Sequence, residues 1–192
     1  MTLLRIAPED RPDTVVLHTR DDDTVVRELD RRGVRLRRWP LRGGDATAHD
    51  AEALLALYRE EVEEVRARES MKLVDVVRLH PEPGEEWRRR AASARAAFLR
   101  EHRHDEDEVR FFAHGRGLFT LHPAGEVVSV LCEAGDLLSV PAGTRHWFDM
   151  GTRPDFAAIR FFQEEDGWVG DFTGSDIAER FPRLDDLVEA DR

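Results

Sequence analysis

A single cysteine, Cys132, in 192 residues excludes an internal disulfide framework. The chain has no run of about 18 apolar residues, so no membrane span is expected. The opening MTLLRIAPEDRPD lacks a basic segment followed by an apolar stretch, so no secretory signal is expected either. Together these absences point to the cytoplasm. Positive charge is also short: the net charge is −11. That disfavours nucleic acid and anionic membranes as partners, since both need a basic surface. Lysine is nearly missing. Lys72 stands alone and every other basic residue is arginine. The arginines are scattered, which fits the codon usage of a GC-rich genome better than a functional patch.

What remains is an ordinary globular composition, 41% hydrophobic and 36% charged. The length suits one domain and allows a real core without covalent staples. Residues 15–19 and 34–41 read as strands, with a short helix between them at TVVRELDRRG. Residues 46–69 read as one helix, with Leu54, Leu55, Tyr58, Val62 and Val65 at helical spacing. Residues 71–81 read as a strand, closed by Pro81, Pro83 and Gly84. EEWRRRAASARAAFLREH then reads as a second long helix. From residue 104 onward, short strand-like runs alternate with Gly, Pro and Asp turns, as in an all-β sandwich or barrel. The expected outline is a helical N-terminal half followed by a β-rich half.

The run HRHDEDEVRFFAHGRG, residues 102–117, carries the chemistry. If most of it is strand, side chains two apart share a face. His102, His104, Glu108 and Arg110 then point the same way: three good metal ligands beside a fixed positive charge. His146, in GDLLSVPAGTRHWF, is the candidate fourth ligand, brought in by a neighbouring strand. Imidazole and carboxylate together suit an octahedral N/O site. Phe148 shares the parity of His146 and is expected to line the pocket. Trp168, in QEEDGWVG, is expected in a loop over its mouth. His18, His49, His80 and His122 each stand alone and are read as ordinary surface or core residues. Asp105, Glu106 and Asp107 read as a solvated acidic edge. Cys132 reads as buried and inert.

Two spacings are specific. His-x-His-x3-Glu-x6-Gly fits residues 102–115, and Gly-x5-Pro-x-Gly-x2-His fits residues 135–146. These are the two motifs of the cupin barrel, so the chain resembles a cupin. It departs at Ala96 and Met150, neither of them a metal ligand. EHRHDEDEVRFFAHGRGLFTLH, LCEAGDLLSVPAGTRHWFDMG and GWVGDFTGSDIAERFPRL narrow the likeness to the acireductone dioxygenase family of methionine salvage. The match is dense over residues 98–184 and looser before them. Family strings often carry an acidic residue near His114, which leaves this histidine unassigned.

The resemblance implies a mostly β fold with N-terminal helices, a double-stranded β-helix in one domain over residues 1–192. Residues 1–97 would pack on the barrel, 98–184 would hold its motif-bearing core and covering loop, and 185–192 would be a tail. It implies His102, His104, Glu108 and His146 as ligands of one Fe(II) or Ni(II) per chain, and Arg110 as the substrate-facing cation. Phe148 and Trp168 would hold the methylthio tail of the substrate. With Fe(II), acireductone and O2 would give formate and 4-methylthio-2-oxobutanoate. With Ni(II), they would give 3-methylthiopropanoate, formate and carbon monoxide. The expected partners are the small-molecule substrate and O2, with the chain a monomer or weak homo-oligomer. The same ligands serve other cupin enzymes, such as a different dioxygenase or a sugar isomerase, and non-catalytic metal-binding cupins.

Overall fold

The computed structural model describes residues 1–43, 49–164 and 169–190. Its strands are β1 (Leu3–Pro8), β2 (Leu17–Thr19), β3 (Arg35–Arg38), β4 (Leu73–Leu79), β5 (His102–Arg103) and β6 (Glu108–Leu121). They continue with β7 (Glu126–Glu133), β8 (Asp136–Val140), β9 (His146–Asp149), β10 (Phe156–Phe162) and β11 (Asp171–Phe172). The helices are α1 (Asp22–Asp30), α2 (Ala51–Leu57), α3 (Arg59–Glu69), α4 (Glu85–Phe98) and α5 (Leu184–Ala190).

All recorded strand pairs are antiparallel. One sheet runs β11-β5-β9-β6-β7-β1-β2, and the other joins β4, β10, β6, β8 and β3. β6 belongs to both and runs unbroken from Glu108 to Leu121, longer than the short strands expected from residue 104 onward. The N-terminal half carries α1 to α4, as expected, but it also completes the sheets. β1, β3 and β4 each pair with a strand of the C-terminal half.

Alternation along β6 sets which side chains reach the interior. Phe112 joins the apolar cluster that both sheets share, with Leu4, Val130, Leu138, Phe148 and Phe156. Val109, Phe111 and Ala113 point the other way and pack beneath Leu54, Tyr58, Val62 and Val65 of the α2–α3 segment. Past the corner the parity flips: Phe119 and Leu121 face the shared interior, while Leu118 packs on Leu184 and Leu187 of α5. The cause is a register shift against β10. His114 pairs with Ala157 and Phe112 with Ala158, which leaves Ala113 as an extra residue. Such a bulge bends a strand and re-aims its side chains.

Two helices differ from their expected bounds. The run expected over 46–69 breaks at Tyr58, whose backbone leaves the helical region (φ −108°, ψ 22°). Tyr58 is fully buried against Phe111, with ring centroids 4.8 Å apart, and its hydroxyl accepts from the Arg42 N–H at 2.9 Å. Residues 46–48, the expected start of that helix, lie outside the described residues. The Asp50 carboxylate caps α2 at the Ala53 N–H, 2.8 Å away. α4 stops at Phe98, short of the expected His102. The Arg100 carbonyl beyond it is taken by the His102 ring instead.

Candidate metal centre

The structure brings His102, His104, Glu108 and His146 together at one end of the interior. His102 lies directly across from His146 in the β5–β9 pairing. Directly opposed residues in a ladder stand about 4.5–5.5 Å apart, and these two ring centroids are 4.5 Å apart. One potential ligand atom from each of the three histidines lies within 4.8 Å of the other two. Glu108 enters from the first residue of β6.

The single-strand expectation for residues 102–114 needs correction. β5 ends at Arg103, residues 104–107 turn, and β6 begins at Glu108. Parity therefore relates Glu108 to Arg110, both on β6, but not to His102 and His104. His104 is placed by loop contacts. Its ring Nδ1 donates to the Val169 carbonyl at 2.9 Å, and its own carbonyl accepts from the Gly143 N–H at 2.8 Å.

All three rings are oriented by the same device. His102 Nδ1 donates to the Arg100 carbonyl at 2.8 Å, and His146 Nδ1 donates to the Thr144 carbonyl at 2.8 Å, as His104 does to Val169. A carbonyl only accepts, so each Nδ1 carries a proton, and in the neutral ring each Nε2 keeps a lone pair. Outer hydrogen bonds of this kind fix the tautomer that a metal ligand needs. His146 Nε2 lies 2.9 Å from Glu108 Oε2 but off the line of a hydrogen bond, and it is buried without a hydrogen-bond partner. His104 Nε2 is 3.5 Å from the same oxygen.

Electrostatics favour the donor form at His102 and Glu108 and the charged ring at His104. Burial, with the neighbouring His146, pushes His102 down to about 4, so its ring is neutral at physiological pH. Burial alone would lower His104 too, but the Glu108 carboxylate outweighs it and raises the ring. Burial would raise Glu108. The Arg110 charge and the two histidines hold it well below the usual carboxylate range. Three imidazole nitrogens and an ionised carboxylate, converging in a site under 10% exposed, fit a divalent ion.

Arg110 stands next to this set. Its Nη2 donates to Glu108 Oε1 at 2.7 Å, and its guanidinium lies over the rings of Phe148 (4.5 Å) and Phe119 (5.1 Å). Phe148 lines the pocket as its parity predicts. Trp168 lies outside the described residues. The pocket, about 270 Å³, also contains Leu73, Asp75, Phe98, Arg160 and Phe162, none of which the sequence singled out. Arg160 pairs across the sheet with Arg110 and holds Asp75 through two bonds of 2.8 and 2.6 Å. An aspartate inside the apolar run of β4 was the only local hint.

Three other expectations change. Asp105 is exposed, but Glu106 and Asp107 are half-buried. Glu106 accepts the Gln163 and Glu164 N–H groups, and Asp107 accepts the Ala142 N–H. They tie the 104–107 turn to its neighbouring loops. His122 is not isolated: it is buried between Glu101 and Glu9. His80 meets His114 and Asp155. Cys132 is buried, and burial pushes its thiol well above the ordinary range, as an inert residue requires.

The fold and the donor set are those of a metal-dependent cupin. More narrowly, the chain belongs to the ARD/ARD' family, which matches residues 6–170. It is 56% identical over 189 residues to acireductone dioxygenase 1 of Nocardia farcinica, covering 98% of this chain and all of the relative. It is 52% identical over 188 residues to acireductone dioxygenase of Frankia alni, covering 98% and 91% of the two chains. A solved acireductone dioxygenase from Bacillus anthracis, with a cadmium ion in its active centre, is 28% identical with a TM-score of 0.75. The likeness covers 90% of this chain and 98% of that one.

Proposed function

We propose that this chain is an acireductone dioxygenase acting in methionine salvage, with His102, His104, Glu108 and His146 holding one divalent metal ion. The observation that carries the reading is the convergence of three Nδ1-anchored imidazoles and one buried carboxylate on a pocket floored by an arginine. The metal supplies Lewis acidity and a template for the enediol oxygens. Fe(II) is the pathway metal in this reading, giving formate and the 2-oxo acid precursor of methionine. Ni(II) gives the carbon monoxide-forming outcome. Imidazole suits both ions, so the donor set does not choose between them.

The protein's own residues do the rest. Arg110 keeps its proton, so it acts as a fixed charge facing the anionic enediol and not as a base. The aromatic rings beneath it hold the guanidinium in place. Phe148 packs on the apolar methylthio tail. Leu73, Phe98, Phe148 and Phe162 supply the apolar part of the pocket lining. The substrate and O2 are the partners, and the chain works as a monomer or weak homo-oligomer. No described helix is long and apolar enough to cross a membrane, and we place the reaction in the cytoplasm.

The test is acireductone loss, followed by the ultraviolet absorbance of the enediol, with metal-free protein reconstituted with Fe(II) in aerobic buffer. Loss well above the metal-only and metal-free controls is expected. Loss no faster than those controls, with metal shown to be bound, would reject the reading.

A further inference from the structure

A second cluster of ligand-type side chains lies well away from this centre. His80 follows β4, His114 sits near the corner of β6, and Asp155 precedes β10. His80 Nδ1 is 2.9 Å and His114 Nε2 is 3.3 Å from the same oxygen, Asp155 Oδ1. One potential ligand atom from each residue lies within 4.8 Å of the other two. His114 is six residues beyond Glu108 on β6, roughly 20 Å at about 3.3 Å per residue, so one ion cannot serve both clusters.

The backbone sets this arrangement. Leu79 pairs with Phe156, and Phe156 pairs with Gly115, so the three residues flank one row across three adjacent strands. Gly115 allows the close approach of Asp155: a Cβ at Gly115 would lie 1.9 Å from the Asp155 carbonyl oxygen. Its φ of 69° also favours glycine. The second nitrogen of His80, Nε2, is buried without a hydrogen-bond partner, an atom that a bound ion or its water would satisfy on rotation of the ring.

We propose that His80, His114 and Asp155 form a second metal site, for a divalent transition ion such as Zn(II), distinct from the catalytic centre. Two imidazole nitrogens and one carboxylate oxygen suit zinc, cobalt, nickel or copper, and are poor for magnesium or calcium. The side chains are 23%, 31% and 50% exposed, so an ion can enter and water can complete its coordination. Occupancy would tie β4, β6 and β10 together. It acts on stability by mass action and leaves turnover unchanged.

The test is total bound metal, by elemental analysis, after Ni(II)-loaded protein is dialysed against Zn(II). About two ions per chain are expected for the native protein, and about one for His114→Gln and for Asp155→Asn, by loss of the binding that only the intact site supports. Added Zn(II) should also raise the melting temperature of the native chain more than that of His114→Gln. Equal metal content in all three proteins, with equal melting shifts, would overturn the proposal and leave Asp155 as a hydrogen-bond acceptor for two histidines.

Discussion

Glu108 is the residue on which the site turns. It is buried beside three imidazoles and paired with Arg110, so one carboxylate is placed to serve both the proposed ion and the cation. A buried pair that loses one partner leaves an uncompensated charge, at a cost of about 3–5 kcal/mol. Glu108→Gln is therefore expected to lower metal content and to destabilise the metal-free protein by about that amount, checked by elemental analysis and urea unfolding. Arg110→Ala behaves differently, because the four donors stay in place. Metal content should hold near the native level while turnover falls about 10²–10³-fold, the usual loss for a group that stabilises developing charge. Full activity in that variant would remove Arg110 from the mechanism.

At the scale of elements, the ends of β9 and the helices meet on Asp149. Its carboxylate takes two bonds from Arg95 of α4 (2.6 and 2.9 Å), the Leu184 N–H of α5 at 3.0 Å and the Gly151 N–H at 2.9 Å. Burial would raise it, but Arg95 and the backbone donors hold it below its ordinary value of 3.8. As pH falls, the unfolded chain therefore takes up the proton first. Stability from this group is complete above 3.8 and is lost on further acidification through the lower folded value. Asp149→Asn should cost about 1.5–3 kcal/mol at neutral pH, the scale of hydrogen bonds to a charged group. It should also flatten the acid arm of a stability–pH curve measured by denaturant. Gly117, on β6, controls another contact between elements. A Cβ there would lie 2.5 Å from the Phe148 ring, so Gly117→Ala should displace that ring from under Arg110. KM for acireductone is expected to rise with metal content unchanged, read by steady-state kinetics alongside elemental analysis.

For the whole molecule, the proposed metal would tie distant parts of the chain. Its proposed ligands come from β5, the turn after it, β6 and β9, and those positions depend on contacts with the 169 loop and the 143 turn. An ion that binds only the folded chain stabilises it by mass action, about 2.7 kcal/mol at a hundredfold excess over Kd. Chelation should therefore lower the melting temperature, and refilling with Fe(II) or Ni(II) should restore it. An unchanged transition would mean that the β core alone sets stability. That core is extensive: both faces of β6 are covered, one by the shared interior and the other by α2–α3 and α5.

Much of this was legible in the residues themselves. The candidate donors His102, His104, Glu108 and His146 stand at informative spacings, and within β6 the period of two puts Glu108 and Arg110 on one face. Period two is a local property of extended backbone, so a sequence carries it openly. The parity linking His102 and His104 to Glu108 was right in outcome but not in cause, because a turn intervenes and loop carbonyls orient the rings. The pairing of β5 with β9, the bulge at Ala113, the Arg160–Asp75 pair and the meeting of His80 with His114 and Asp155 join residues far apart in the chain. Such contacts depend on which surfaces bury one another and where each backbone donor finds its acceptor. The sequence by itself determined the kind of donors and their order along the chain. Tertiary structure brought the Val169 carbonyl to His104 and the three rings to one another, because those contacts join distant residues, whereas His102 and His146 are held by carbonyls only two residues upstream.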